Sequence, residues 1–397
     1  MAEKKVIKKE NWMSNFNLIG KPKISEEYTF TFDQRSEKSQ WISNRMNLGI
    51  DCGEKHGVIY AEMFGGYSEN GGNKIFAHGK KDDGSDDFDT PIIVDWEDRF
   101  DEGILEEIGD LSFVVVGLEK TSEDKTFYKK FLSQYDAIVY IKEHLTEDMI
   151  VNVRGNLSFS SYNNNTSVKK NITSIVLSKV DDPAKYKATF NQTILLDKDS
   201  VNLKDIDKDK GVMYVNARVL DYLKEYKGIK LVNAKGEEKG GQFPYNKQFE
   251  FEVDPKNEQL CKTIYEKVFK VKKGVSQITF EGEFIESGAV VMPTRDDLPD
   301  EIKALIGVVF TEEEALASCA ANGNKERRMV LKKPMIRLVG EEKTPVIQIF
   351  PERYTEDDLV LDYLYNEDNK ADKDVAPFDE GSTDSEGGDL DWLNKLM

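Results

Sequence analysis

Met149-Ile-Val-Asn-Val-Arg-Gly-Asn-Leu-Ser-Phe159 is the stretch that decides the fold. Apolar and polar residues alternate along it, which predicts a half-buried β-strand. Gly155 lies inside the strand, where glycine commonly marks a bulge or a sharp bend. An apolar-periodic segment at 135–145 precedes the strand, and a Ser/Tyr/Asn run separates it from a second strand at 168–177. The sequence therefore predicts a helix, a bent strand and a hairpin partner. The predicted core face of the bent strand is Val151, Val153, Leu157 and Phe159.

A helix followed by such a hairpin is how a small five-stranded barrel closes, and the oligonucleotide/oligosaccharide-binding (OB) fold is a barrel of this kind. The pattern recurs later in the chain. Gly282 lies 127 residues after Gly155, and the same offset carries Val151 to Ile278 and Tyr135 to Lys262. Because one offset covers a helix, a strand and its glycine, the sequence predicts two copies of one fold.

The predicted fold class is mainly β, with two tandem OB-fold barrels that carry α-helical insertions and a disordered acidic C-terminal tail. We expect a basic N-terminal arm over 1–27 and the first barrel over 28–180. The second barrel, with a helical insertion, is expected over 181–355, and the tail over 356–397. A chain of 397 residues is long enough for this organisation.

The charge of the chain is unevenly distributed. The formal net charge is −19. Residues 356–397 contain 14 acidic and 3 basic residues, a balance of −11, so the other residues carry −8. Acidity concentrated in a tail does not prevent basic faces elsewhere from binding a polyanion.

Several classes of protein are disfavoured by the sequence. The longest apolar run, 113–118, is far shorter than a membrane span, so no membrane partner is expected. The three cysteines are odd in number and widely spaced, which favours a reducing cytosol and argues against a disulfide framework. The chain has no phosphate-cradling loop, no nucleophile elbow and only scattered histidines. We therefore expect no enzyme activity, no cofactor and no metal, and a solvated loop rather than a cation site at 82–89.

Aromatic and basic residues share the non-core parity of several predicted strands. Single-stranded nucleic acid is held by rings that stack on bases and by cations that contact phosphates. The alternative is that these rings pack against insertions or against the other barrel. Arg327 and Arg328 lie near the last predicted strand of the second barrel. The candidate nucleic-acid-binding residues are Trp41, Arg45, Tyr60, Phe64, Arg154, Tyr162, Lys169, Lys170, Tyr214, Arg218, Tyr222 and Lys247.

The tail ends in an apolar tip, Asp389-Leu-Asp-Trp-Leu-Asn-Lys-Leu-Met397. An acidic tether for solubility alone has no need of such a tip. A disordered tether with an apolar end suits a small hydrophobic pocket with a basic rim on a partner protein. The candidate partner-binding residues are Asp389, Leu390, Asp391, Trp392, Leu393 and Leu396.

Residues 143–157 and Ile172-Thr-Ser-Ile-Val-Leu177 resemble the closing half of single-stranded DNA-binding proteins, and the tail is similar to those of bacterial and phage members. The resemblance implies that the tail recruits replication and repair proteins and competes with DNA for a basic groove. Bacterial members are usually short, single-barrel and tetrameric, whereas this chain has two predicted barrels. Its tip ends Trp-Leu-Asn-Lys-Leu-Met rather than Pro-Phe. These departures favour a phage-encoded version of the family, and the resemblance implies a location in the cytoplasm of a bacterial or phage-infected host cell.

The function expected from the sequence is sequence-independent binding of single-stranded DNA in replication, recombination or repair, with a tail that recruits partner proteins. One alternative is an OB-fold protein–protein interaction factor, such as a phage inhibitor or assembly protein, that does not bind nucleic acid. Another is a nuclease or primase accessory enzyme, which would need a metal cluster that the sequence does not display. The sequence leaves open DNA against RNA, the oligomeric state and the tail's partner.

Overall fold

The computed structural model describes residues 6–359, apart from 37–38, 163–164, 227, 234–235, 288–289, 341 and most of 292–325. The first half of the chain contains β1 (Ser14–Lys23), β2 (Phe30–Arg35), β3 (Trp41–Asp51), β4 (Val58–Ser68), β5 (Lys74–Lys80), β6 (Asp86–Asp95), α1 (Glu102–Glu107), β7 (Val114–Lys120), β8 (Thr126–Phe131), α2 (Gln134–His144), β9 (Val151–Tyr162) and β10 (Asn165–Leu177).

The second half begins with β11 and ends with a short helix. Its elements are β11 (Lys187–Leu196), β12 (Val212–Leu223), β13 (Glu225–Tyr226), β14 (Ile229–Lys230), β15 (Gly241–Glu252), α3 (Glu258–Ile264), β16 (Val275–Ser287), β17 (Val290–Val291), β18 (Ala321–Asn322), β19 (Glu326–Pro334), β20 (Ile336–Val339), β21 (Thr344–Ile347), β22 (Ile349–Tyr354) and α4 (Glu356–Leu359). A π-helical turn, Tyr265–Phe269, continues α3.

Five strands of the first half close into a barrel. β1 pairs antiparallel with both β3 and β9, β3 with β4, and β9 with β10. A parallel bridge from β4 to β10 completes the circuit. α2 lies between the third and fourth barrel strands, as in the OB fold. The hairpins β5–β6 and β7–β8 are insertions before α2, and β7 extends the sheet alongside β10.

The second half repeats this circuit. β11 pairs antiparallel with β12 and β16, β12 with β15, and β16 with β19, and a parallel bridge from β15 to β19 closes the barrel. α3 again lies between the third and fourth strands. The predicted mainly β class with two tandem OB-type barrels is confirmed.

The N-terminal segment requires a correction. Sequence analysis places residues 14–23 in the basic N-terminal arm and begins the first barrel at residue 28. This is wrong, because residues 14–23 form β1, the first strand of the first barrel. Phe16 and Leu18 on β1 are 2% and 0% exposed. The alternation of apolar and polar residues in this strand is short and follows a lysine-rich segment, so it is not evident from the sequence. The segment forms a strand because pairing in the barrel buries Phe16 and Leu18.

The two barrels are joined strand to strand. β1 and β11 pair antiparallel, with Phe16 directly opposite Phe190. Within the barrels, Phe16 lies opposite Gly155 and Phe190 lies opposite Gly282. Phe16 and Phe190 therefore occupy equivalent positions in the two barrels. The pairing of β1 with β11 has an approximate two-fold symmetry axis that passes between these two residues.

Gly155 and Gly282 are required by close packing. A Cβ built on Gly155 would lie 2.8 Å from the Phe16 ring and 1.9 Å from the Asn171 carbonyl oxygen. A Cβ on Gly282 would lie 2.2 Å from the Phe190 ring and 2.6 Å from a carbonyl oxygen on β19. In both barrels a bulge interrupts the pairing beside the glycine. The offset of 127 residues thus marks a true equivalence of these strands. It does not extend to the helices, which begin at 134 and 258.

One continuous apolar core runs through both barrels. The predicted alternation is confirmed on the barrel strands. The predicted core residues of the bent strand, Val151, Val153, Leu157 and Phe159, are all buried. On β3 the same alternation buries Met46, Leu48 and Ile50 and leaves Ile42 partly exposed.

The C-terminal predictions lie mostly outside the described residues. These include the tail from residue 360, its tip at 389–397 and most of the helical insertion expected before the last strand. Residues 356–359, which sequence analysis assigns to the tail, form α4 instead, and Leu359 packs with Ile7, Leu195 and Tyr354.

Candidate nucleic-acid interface

The outer face of the β3–β4 ladder presents four of the predicted residues together. Arg45 lies opposite Phe64, Trp41 lies opposite Ser68, and Tyr60 lies two residues before Glu62 on the same face of β4. Phe64 is 38% exposed. In OB folds, the face formed by the second and third strands is where oligonucleotides bind.

Two glycines leave room for the rings on this face. A Cβ on Gly66 would lie 2.7 Å from the indole nitrogen of Trp41, and a Cβ on Gly49 would lie 3.1 Å from the ring of Tyr60. The Trp41 nitrogen is buried and has no hydrogen-bond partner among the described residues. Trp41 and Tyr60 are thus partly buried in this face, whereas the side chain of Phe64 is exposed to solvent.

A groove between the barrels continues from Tyr60. It encloses about 330 Å³ and is lined by β4 and β10 of the first barrel and by β15, β16 and β19 of the second. A second depression of about 390 Å³ adjoins it over β15 and β19. The cations that line them are Lys169, Lys170, Lys247, Arg327 and Arg328, and the carboxylates are Glu62, Glu250 and Glu286. The lining therefore has a net charge of +2 in a chain whose net charge is −19.

Two of these ion pairs occupy equivalent places in the two barrels. Lys169 lies 3.4 Å from Glu62 in the first barrel, and Arg328 lies 2.5 Å from Glu250 in the second. The register shows the equivalence, because Glu62 and Glu250 each lie at the parallel bridge that closes their barrel. Arg45 also contacts Glu62, at 3.2 Å.

Lys170 is the most enclosed cation of the groove. Its ammonium lies 3.5 Å from Glu286 and 4.8 Å from the centre of the Phe284 ring. Burial lowers the pKa of Lys170, although Glu286 acts in the opposite direction. Arg327 approaches the same Glu286 at 3.7 Å.

Lys247 differs from its neighbours. Its ammonium donates to the backbone carbonyl oxygen of Thr166 across the groove, at 3.5 Å. Within the described part of the chain, no carboxylate forms an ion pair with it. Burial, and then repulsion from Lys170, lower the pKa of Lys247.

Four of the remaining predicted residues, Arg154, Tyr214, Arg218 and Tyr222, do not line the groove or the depression. Arg154 is exposed on β9, where it donates to Asn152. Tyr162 ends β9, and its side chain lies outside the described residues. The other three, on β12, are held by local partners. Tyr214 donates to Asp207, Arg218 pairs with Asp197 at 3.2 Å, and Tyr222 donates to the Lys239 carbonyl oxygen.

The structure thus brings Tyr60, Lys169, Lys170 and Lys247 together, with Trp41, Arg45 and Phe64 on the adjoining face. Sequence analysis misses the three carboxylates that balance the cations. Glu62 has the same parity as Tyr60 and Phe64, so strand alternation alone places it on this face.

In the ranges that the structure describes, we find no cluster of three or more His, Cys, Asp or Glu side chains that could hold a metal ion. No described helix is both long and apolar enough to cross a membrane.

Comparison with known proteins gives limited matches. The YorF family model matches residues 115–272, from β7 to the end of the helical segment after β15. No curated protein matches the chain. Two crystal structures of the single-stranded DNA-binding protein from Thermus aquaticus are similar at 8% identity, and each likeness covers 70% of this chain. The wild-type structure is covered over 86% of its length with a TM-score of 0.27, and a deletion mutant over 88% with a TM-score of 0.29.

Proposed function

We propose that this protein binds single-stranded DNA without sequence specificity, in replication or recombination and without catalysis. Bases would stack on Trp41, Tyr60 and Phe64, and phosphates would contact the cations of the inter-barrel groove. Rings beside cations on an outer OB face form the pattern that single-strand binding requires.

The observation that carries the proposal is the separation of charge. Residues 73–112, which contain the β5–β6 hairpin, have 13 acidic and 4 basic residues, a balance of −9. Residues 356–397 carry −11. Since the total is −19, all other residues together carry +1. The rest of the chain, which includes both barrels, is therefore close to neutral, and the net negative charge that would repel a phosphate backbone lies in these two segments.

The C-terminal tail is the part of the chain that we expect to bind other proteins. We propose that the tip around Trp392 and Leu393 recruits replication or recombination proteins. The tail's acidic residues would compete with DNA for the groove cations, because the tail is tethered to the same molecule and so is present at a high effective concentration.

Fluorescence titration with oligo-dT tests the proposal. Binding should be tight at low salt, and log K should fall linearly with log salt by about 0.7 for each phosphate contacted. The same titration with oligo-U compares DNA with RNA, and a duplex of equal length is the control. A flat salt dependence would rule out the groove as a phosphate site.

A second candidate function is a protein-interaction factor. The acidic insertion exposes large apolar side chains: Phe76, Phe88 and Leu111 are 76%, 69% and 72% exposed. Exposed apolar residues in one segment often mark a protein-binding surface. If the protein does not bind oligo-dT, oligo-U or duplex at low salt, this candidate replaces nucleic-acid binding.

A further inference from the structure

We propose that Lys247 is the phosphate contact at which a single strand crosses from the first barrel to the second, so that the two barrels form one continuous binding path. This inference rests on the proposed binding of single-stranded DNA. It adds a route for the strand and a residue on which that route depends.

Lys247 lies at the seam between the barrels. It belongs to β15 of the second barrel, yet its ammonium donates to Thr166 on β10 of the first. The groove that begins at Tyr60 and the depression over β15 and β19 share Thr166, Lys247, Arg327, Arg328 and Met329. A strand that leaves Tyr60 and follows the lining must therefore pass Lys247 to reach the second barrel.

The ion pairs around Lys247 leave its ammonium without a carboxylate partner among the described residues, which favours binding of an anion. Each of the other four cations in the lining has a carboxylate within 4 Å: Glu62 for Lys169, Glu286 for Lys170 and Arg327, and Glu250 for Arg328. Lys247 has no such carboxylate among the described residues. A largely buried ammonium without a counter-ion is unfavourable, and a phosphate oxygen would supply the missing charge.

The surroundings of Lys247 favour a backbone phosphate over a base. The groups that face it are Lys170 on β10, Arg327 and Arg328 on β19, and the carboxylates Glu250 and Glu286, which are already paired. Two described rings line the groove with these groups. Phe284 has the Lys170 ammonium 4.8 Å from its ring centre, and Tyr60 belongs to β4 of the first barrel. An anion therefore meets an unpaired ammonium at Lys247, whereas the described lining of the depression over β15 and β19 offers a base no aromatic ring for stacking.

The decisive experiment compares two lengths of oligo-dT on the full chain. One OB barrel covers roughly 4–16 nucleotides, so an oligonucleotide of about 8 fits one barrel and one of about 30 must cross the seam. Lys247→Gln should weaken binding of the long oligonucleotide several-fold and reduce its salt slope by about 0.7. Binding of the short one, which can remain on the face of β3–β4, should stay unchanged.

Matched variants control for charge and folding. Lys247→Arg keeps the cation and should retain the wild-type salt slope. Lys256→Gln removes an exposed lysine outside the groove and should leave the binding of both lengths unchanged. Lys247→Met removes the charge without leaving a polar group in the seam, and it carries the test if Lys247→Gln lowers the melting temperature.

The outcomes separate this inference from the proposed function. If the wild-type chain binds neither length, single-strand binding itself is wrong. If it binds both, and the Gln and Met variants keep the wild-type affinity and salt slope for the long oligonucleotide, Lys247 is not a phosphate contact. If these variants weaken both lengths equally, Lys247 contacts DNA but not at a crossing, and the continuous path is overturned.

Discussion

The two barrels share their internal construction and differ in their outer faces. In both, a phenylalanine on the first strand packs over a glycine on the fourth, Phe16 on Gly155 and Phe190 on Gly282. Outside, the register places Gln248 of the second barrel where the first has Tyr60, and Glu252 where the first has Phe64.

This difference shows which parts of a duplicated fold are constrained. A ring packed against a bare backbone permits no side chain at the glycine, so both copies keep it. Glu252 of the second barrel pairs with Lys332, while Phe64 of the first barrel is 38% exposed. We infer that the first barrel supplies the stacking surface, whereas both barrels supply cations to the groove between them.

The largest expected effect concerns the shared construction. Gly155→Val and Gly282→Val should each lower the free energy of unfolding by about 3 kcal/mol or more, because the added atoms overlap a ring and a carbonyl oxygen. Denaturant titration of each variant measures the loss. Gly103→Ala in α1 is the control: its new Cβ would approach only the Asp101 carboxylate, and stability should stay the same or rise. Wild-type stability in either valine variant would break the equivalence of the barrels.

The next effect concerns the difference between the barrels. Tyr60→Ala and Phe64→Ala should each weaken oligo-dT binding by about 1–3 kcal/mol, the usual contribution of one stacked base. Tyr214→Ala and Tyr222→Ala should have smaller effects on binding, because both hydroxyl groups are engaged in local hydrogen bonds. Equal losses in the two barrels would show that the second barrel also stacks bases. Thermal melting must accompany each titration, since a fall in melting temperature would indicate that the ring supports the fold.

A gain of function sharpens the same comparison. Gln248→Tyr together with Glu252→Phe places rings on the second barrel at the positions that carry them in the first. This double variant should bind a long oligonucleotide up to about 1 kcal/mol more tightly, near the lower limit for a single stacked base. Glu252→Gln is the control for the lost negative charge, because removing that charge also favours a polyanion. If both variants gain equally, the improvement comes from charge and not from stacking.

Strand alternation and the repeated glycine were sufficient to predict the barrel class and the equivalent fourth strands, but not the first strand of the first barrel. Val151, Val153 and Leu157 lie on the side of the strand that faces the core. Because side chains alternate between the two sides of a strand, the sequence shows this as alternating apolar residues. β1 was missed because polar and basic residues flank its buried side chains, Phe16, Leu18 and Ile19, and because two of its three partner strands lie more than a hundred residues away. Pairing over such distances leaves no local signal.

The sequence predicted which side chains lie on outer faces, but not which of them come together in the groove between the barrels. Parity places Tyr60, Phe64 and Lys247 on outer faces. The groove exists because β1 pairs with β11 and thereby brings β10 of one barrel against β15 and β19 of the other. The sequence contains no marker for this contact, so Glu286 and Lys170 could not be matched before the barrels were placed together.

The smallest expected effect concerns the tail, and the structure changes how it should be removed. Leu359 is buried against Ile7 and Tyr354, so truncation must begin at residue 360. The removed segment then carries −8, since residues 356–358 account for −3 of the −11. Deleting residues 360–397 should tighten oligo-dT binding several-fold at low salt, with the gain disappearing at high salt as screening weakens the competition.

The tail can compete with DNA for cations but not for stacking surfaces, and this distinction allows a sharper test. Lys169 and Arg328 are the equivalent cations that the two barrels contribute to the groove. In a variant with both changed to Gln, deleting the tail should no longer improve binding, whereas in Tyr60→Ala the improvement should persist. Changing Trp392 and Leu393 to Ala in the full chain should leave the competition intact, because it depends on charge, and abolish recruitment of any replication protein bound by the tip. If the truncated chain binds oligo-dT no more tightly than the full chain at low salt, the tail does not occupy the groove.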